Sequence, residues 1–308
     1  MLSITTRTVK VVEVGPRDGL QNEKTPINLE DKLNYIQMLI NAGIRHIETT
    51  SFVHAQAIPQ MADAKNLMDE ILKKNSSPVT NFICLVPNLK GLERALDCQV
   101  KSIALFTATS ETFNQKNIKS TIDESLQKIQ AVVQEGRKLN LTMRGYISTA
   151  FGCPYEKKTS YEMLEKITCK FFEMGIQEVS WGDTIGVAMP LQVDEYLEKI
   201  KSKIPFSQLA MHFHDTKGMA LANILTSLNQ GVCIFDASSG GLGGCPYAKG
   251  ATGNVATEDL LYLLNSFGIK TGIDLEKLSQ ASHFILSKVQ KQTTSKFLST
   301  YFDERKRR

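Results

Sequence analysis

Two histidines one residue apart, in "MHFHD" from Met211 to Asp215, are the strongest chemical signal in the sequence. On a β-strand alternate side chains share a face, so His212 and His214 point one way and Phe213 the other. Two imidazoles then lie within reach of one metal ion. A single histidine is more often a hydrogen-bonded core residue, which is the reading given to His46, His54 and His283. The pair needs further ligands. Asp18 in "VGPRDGL" offers a carboxylate oxygen and Asn254 in "GATGN" an amide oxygen. A mixed nitrogen and oxygen set with positions open to substrate suits Mg2+, Mn2+ or Co2+ better than a closed structural zinc, although imidazoles also accept Zn2+.

Other polar residues fall where predicted strands end: Arg17 beside Asp18, Glu48 on the second strand, Arg144 on the fifth, Asp183 on the sixth and Asp215 after the histidines. Burying so many ionisable groups without a use is costly. Arg17 would be a fixed cation for an oxyanion or carboxylate. Gly15, Pro16 and Gly19 suggest that the strand has already broken there, letting both Arg17 and Asp18 face one mouth. Glu48 and Asp183 read as ligands, bases or groups that orient a neighbour, with orientation favoured for Glu48. Cys245, in the glycine-rich "LGGCPYAKGATGN", could be nucleophile, ligand, proton donor or an inert small residue.

These residues need a scaffold that brings strand ends together. Eight short apolar runs begin near Lys10, His46, Thr80, Ser102, Thr142, Glu178, Gln208 and Ile234, with amphipathic helical stretches between them. Gly43, Gly175 and Gly231 stop three of those helices as C-terminal caps would. Regular alternation with doubly apolar strands implies a parallel sheet, and eight repeats imply an α/β fold closed as a (β/α)8 TIM barrel, whose catalytic groups sit at the carboxyl ends of the strands. An open doubly wound sheet would show a GxGxxG-type turn after the first strand, and "VGPRDGLQNE" lacks it. The expected layout is one domain over residues 1–308, a barrel at about 8–268 with further helix appended at about 274–300.

The formal charge of +4 is matched by the four positive residues Arg305 to Arg308, so the rest of the chain is balanced and no nucleic-acid partner is expected. Six cysteines without CxxC spacing read as reduced thiols. No run approaches the ~18 apolar residues of a membrane span. The start enters a strand almost at once, so the expected compartment is cytoplasmic, with no membrane partner.

Taken together, "VEVGPRDGLQNE", "IETTSF", "SWGDTIG", "HFHDTKGMALAN" and "GGLGGCPYAKGATGNVATEDL", in that order, resemble the 3-hydroxy-3-methylglutaryl-CoA lyase family of the DRE-TIM metallolyases, over about Val11 to Gly268. The literal "DRE" is replaced by "PRDGLQNE", the form that lyases of this type show. The resemblance implies a divalent cation, Mg2+ or Mn2+, on Asp18, His212, His214 and Asn254. It implies catalytic roles for Arg17, Glu48, Asp183, His212 and Cys245, an acyl-CoA substrate bound partly by Arg17, and a homodimer. The implied reaction is retro-Claisen cleavage of the C2–C3 bond, giving acetyl-CoA and acetoacetate. Thiol chemistry agrees, because a group of ordinary pKa ~8.5 can protonate an enolate carbon near neutral pH. The acceptor of the C3 hydroxyl proton is left between His212 and Asp183. Lys24, Lys116 and Asn117 are no stronger as CoA contacts than as solvated side chains. The glycines from Gly240 to Gly253 are expected to let the last loop close over the mouth and bring Cys245 to the substrate.

Four other readings compete, one of them a lyase acting on a related 3-hydroxyacyl thioester. An aldol-type synthase of the same superfamily would resemble "GERAGN" in the last loop, and a metal-dependent hydrolase would need neither Cys245 nor Arg17. A catalytically dead barrel would have lost a rim group, and none is missing.

Overall fold

Each of the eight apolar runs forms a strand: β1 (Lys10–Glu13), β2 (His46–Ser51), β3 (Asn81–Leu85), β4 (Ser102–Ala108), β5 (Thr142–Ser148), β6 (Glu178–Asp183), β7 (Leu209–Phe213) and β8 (Ile234–Ala237). The computed structural model describes residues 8–75, 79–244 and 253–306. All eight strands are parallel and pair in chain order, and β1 meets β8 in the register Lys10↔Ile234 to Glu13↔Ala237, closing the barrel. The helices between them are α1 (Leu29–Asn41), α2 (Ala64–Lys74), α3 (Leu89–Leu96), α4 (Glu111–Ile118), α5 (Ile122–Lys138), α6 (Tyr161–Met174), α7 (Pro190–Ile200) and α8 (Ala220–Gln230), with α9 (Thr257–Ser266) following β8.

The apolar stripes of the helices make the main core against the outer face of the barrel. Trp181, Phe213 and Phe235 from the strands and Leu39, Leu164, Phe171 and Leu228 from the helices are all fully buried there. Each such side chain contributes about 1.5–3 kcal/mol relative to exposure. Gly145 on β5 shows how close the layers come. A Cβ there would stand 2.4 Å from the Phe171 ring, so α6 could not keep its seat with any other residue. Gly175 and Gly231 end α6 and α8 in the left-handed conformation, at φ of 99° and 102°.

Inside the barrel the apolar layer is thin: Val12, Val14, Ile83, Leu85, Ala104, Ala210 and Ile234 around Tyr146. The rest of the lumen is a ladder of charges. Lys10 Nζ lies 2.6 Å from Glu178 Oε2, Glu178 Oε1 lies 2.7 Å from Arg144 Nε, and Arg144 Nη2 lies 2.6 Å from Asp236 Oδ1. This corrects the expectation for Arg144. It is the third residue of β5, opposite Glu178 at the start of β6, so it belongs to the lower lumen and not to the carboxyl rim. Glu48 is likewise mid-strand on β2. Asp215 is at the rim, but its Oδ1 accepts the Ala220 N–H at 3.0 Å and is spent on the start of α8.

Beyond the barrel the helical segment expected near 274–300 is present as two helices, α10 (Leu275–Val289) and α11 (Lys296–Lys306). Gln290 turns left-handed at φ 57° and ends α10, after which Thr293 Oγ1 donates to Gly240 O at 3.0 Å. Ser295 Oγ donates to Asp259 Oδ1 at 2.7 Å and accepts from Leu298 N–H, starting α11 against α9. The break is therefore a side chain to backbone anchor that ties the C-terminal segment to the loop after β8.

Candidate active site

Directly after β1, Gly15–Gly19 form a π-helical turn in which Val14 O accepts the N–H groups of Arg17, Asp18 and Gly19 at 2.8–3.2 Å. The wide turn points both Arg17 and Asp18 toward the carboxyl mouth, as the glycines and proline suggested. Glycine is required at its start, because a Cβ on Gly15 would lie 2.3 Å from Tyr35 Oη and 2.5 Å from Glu13 Oε1. Glu13 is buried and accepts from Gly15 N and Ser239 N, both at 2.9 Å, and from Thr257 Oγ1 at 2.7 Å, which pins the turn to the loop after β8.

Arg17 is a fixed cation in this mouth. Its Nη2 donates to Glu48 Oε2 at 2.6 Å and its Nη1 to Asp18 Oδ1 at 2.8 Å, while Nε is buried with no protein partner. Burial works against its charge, but Glu48 and Asp18 outweigh it and raise the guanidinium further above its ordinary range. Glu48 is fully buried; burial pushes its carboxyl up and Arg17 opposes this. Tyr146 Oη donates to the same Glu48 oxygen at 3.1 Å and accepts from Arg144 Nη1 at 2.9 Å. Glu48 thus holds Arg17, in line with the orienting role favoured from the sequence.

Asp18, His212 and His214 each offer an atom to a cluster whose members all lie within 4.8 Å of one another. Burial would raise the Asp18 carboxyl, yet Arg17 and the two imidazoles prevail and bring it to about 2, so it is a carboxylate. Burial, with His212 alongside, takes His214 down to about 3; it is neutral and its Nδ1 is buried without a partner. For His212 burial is outweighed by Asp236 and Asp18, which raise its pKa. Asn254 joins the group through a short bridge to His214, and its Nδ2 donates to Asp18 Oδ2 at 2.8 Å. A carboxylate, two imidazoles and an amide, with one buried nitrogen left unpartnered, fit a divalent cation.

Asp183 closes β6 beside the histidine strand. Its two oxygens accept the N–H groups of Val187 and Ala188, both at 2.9 Å, and its carbonyl accepts His214 N–H at 3.1 Å. Burial, partly opposed by those N–H groups, raises its carboxyl to about 6. Between Gly182 and Thr184 of the cavity lining, it braces the wall behind His214 while each carboxylate oxygen keeps room for a further hydrogen bond. Cys245 lies outside the described residues.

A cavity of about 880 Å³ opens above these groups, lined by Arg17, Asp18, His212, His214 and Tyr146 and continuing past Asn117 and Lys128. Lys116 instead stacks over the Tyr155 ring at 3.9 Å. Sequence reasoning does not single out Gln21, Tyr146 or Asp236. Gln21 Nε2 donates to Asp18 Oδ1 at 2.9 Å, and Asp236 meets His212 Nδ1 at 3.3 Å. Asp236 carried a usable signal, a lone acid two residues after an inward-facing isoleucine in an apolar strand.

A family model described as HMGL-like matches residues 8–285. The chain is 47% identical over 290 residues to the mitochondrial hydroxymethylglutaryl-CoA lyase of Homo sapiens, covering 94% of this chain and 88% of that protein. Against the crystal structure of a Bacillus subtilis HMG-CoA lyase it is 46% identical, with a TM-score of 0.93 and coverage of 96% and 98%. A solved HMG-CoA lyase of Acinetobacter baumannii, in complex with coenzyme A and 3-methylmalate, is 34% identical, with a TM-score of 0.91 over 96% of each chain.

Proposed function

The chain belongs to the HMGL-like family, and from that premise we propose that it cleaves 3-hydroxy-3-methylglutaryl-CoA to acetyl-CoA and acetoacetate with the help of a divalent cation. The observation that carries this reading is the convergence of Asp18, His212 and His214 beside a fixed Arg17 at the floor of one large cavity. Asp18, His212, His214 and Asn254 are the residues that would hold Mg2+ or Mn2+. When bound there, the cation supplies Lewis acidity that lets a tertiary alcohol ionise near neutral pH.

The chain's own groups divide the remaining work. As the C3 hydroxyl gives up its proton to His212 or Asp183, the C2–C3 electron pair moves toward the thioester, and C3 becomes the ketone of acetoacetate. Arg17, already immobilised by Glu48 and Asp18, faces the enolate oxygen with no reorganisation to make. The Cys245 thiol delivers the proton that turns the enolate carbon into the methyl group of acetyl-CoA. Asp183 also fixes the loop to Ala188 and the main chain of His214. The acyl-CoA would thread the cavity away from the cation. A homodimer using Mg2+ or Mn2+ completes the proposal, supported by the family resemblance; no helix of the described residues is long and apolar enough to cross a membrane.

Metal removal tests this. Protein dialysed against EDTA is expected to lose cleavage of 3-hydroxy-3-methylglutaryl-CoA and to regain it when Mn2+ or Mg2+ is added back, followed by acetyl-CoA release. Undiminished turnover in demetallated protein would contradict the reading.

A further inference from the structure

Asp236 sits in the barrel lumen on β8, 1% exposed, with every oxygen engaged. Its Oδ1 accepts from Arg144 Nη2 at 2.6 Å, and its Oδ2 accepts from Ser180 Oγ at 2.9 Å and lies 3.3 Å from His212 Nδ1. We propose that Asp236, held by Arg144, is a positioning residue that fixes the tautomer of His212 and thereby turns its Nε2 lone pair toward the cation. The inference rests on the metal reading above.

Which ring nitrogen of a histidine carries the proton follows from its partners. An ionised carboxylate only accepts, so the nitrogen facing Asp236 must be the donor, and Nε2 is left as the electron-pair donor. A carboxylate behind an imidazole also raises its basicity as a ligand. The lumen is built to keep that carboxylate charged. A lone buried carboxylate would be costly, and Arg144 offsets it. Arg144 is in turn balanced by Glu178, and Glu178 by Lys10, so the four charges alternate and sum to zero. This gives Arg144 a task from the lower lumen, two links below the site. His214 has no such carboxylate: its Nδ1 is the buried, unpartnered nitrogen of the cation cluster, so Asp236 acts on His212 alone.

The test is Mn2+ binding by isothermal titration calorimetry on the purified full chain, comparing wild type with Asp236→Asn and Ser180→Ala. Asp236→Asn is expected to weaken Mn2+ binding about 10–100-fold, the usual cost of losing such a partner, with its circular dichroism unchanged. Ser180→Ala keeps the carboxylate and Arg144 and is expected to lose less. Folded Asp236→Asn with wild-type Mn2+ affinity overturns the inference alone; wild-type protein that binds no Mn2+ overturns the metal reading and the inference with it. Should Asp236→Asn fail to fold, long-range 1H–15N spectra of the Mg2+-loaded wild type decide. A proton on His212 Nδ1 supports the proposal, and a bare Nδ1 overturns it.

Discussion

Replacing Cys245 with alanine is expected to lower kcat for 3-hydroxy-3-methylglutaryl-CoA cleavage by about 10²–10⁴-fold, the range lost with a general acid, while Mn2+ affinity stays at the wild-type value. The expectation follows from a division of labour. The described ligands of the cation cluster are complete without the thiol, because Asp18, His212 and His214 already converge and Asn254 is tied to both Asp18 and His214. What the thiol adds is a neutral donor whose ordinary pKa suits protonating carbon near neutral pH. A second readout separates this role from a structural one: if bond cleavage precedes protonation, the alanine variant should still bind substrate, with KM near wild type and only kcat reduced. Titration calorimetry and steady-state kinetics on the same preparation check both halves. A Cys245→Ala protein with full turnover would remove the thiol from the mechanism, and one with lost Mn2+ binding would make it a ligand.

Replacing Arg17 with glutamine is expected to cost about 10²–10³-fold in kcat, as for the loss of one group aimed at a developing oxyanion. Arg17 differs from a surface arginine because its contacts are already made: Glu48 at 2.6 Å, Asp18 at 2.8 Å and the Tyr146 ring at 5.6 Å. Substitution therefore has a stability cost as well. Glu48 is 0% exposed, and breaking a buried pair by removing one partner typically costs about 3–5 kcal/mol. Thermal unfolding should show that loss, so kinetics are to be read at a temperature where the variant is folded. Arg17→Lys separates the two effects. It keeps a positive charge for Glu48 but not the planar fork, so it should recover much of the stability and little of the rate. Full recovery of kcat by lysine would show that charge alone, not placement, is what Arg17 supplies.

How much of this was legible without coordinates depended on the range of the signal. The eight strands, the helices at α1, α5, α6 and α8 and the glycines Gly43, Gly175 and Gly231 that end α1, α6 and α8 are local patterns, set by periodicity over a dozen residues, and they stand where expected. The HxH pair is also local, since strand parity alone puts both rings on one face. Asp18 and Asn254 are 236 residues apart, and only the barrel's habit of gathering strand ends joined them in the reading. The misses are those that local pattern cannot carry. Arg144 reads as a rim residue in the sequence, but its strand continues to Ser148, and its height in the lumen is set by pairing with Glu178 and Asp236. Also beyond local pattern are the N–H groups that brace Asp183, from residues four and five further on, and the place where the C-terminal segment divides into α10 and α11, set by contacts with Gly240 and Asp259, distant in the chain.

Product analysis tests the central claim most directly. Purified protein with Mn2+ and 3-hydroxy-3-methylglutaryl-CoA, followed by 1H NMR, should yield one acetoacetate and one acetyl-CoA for each substrate consumed. Release of free CoA with 3-hydroxy-3-methylglutarate would instead show that the cation activates water for thioester hydrolysis, and would contradict carbon–carbon cleavage at this site.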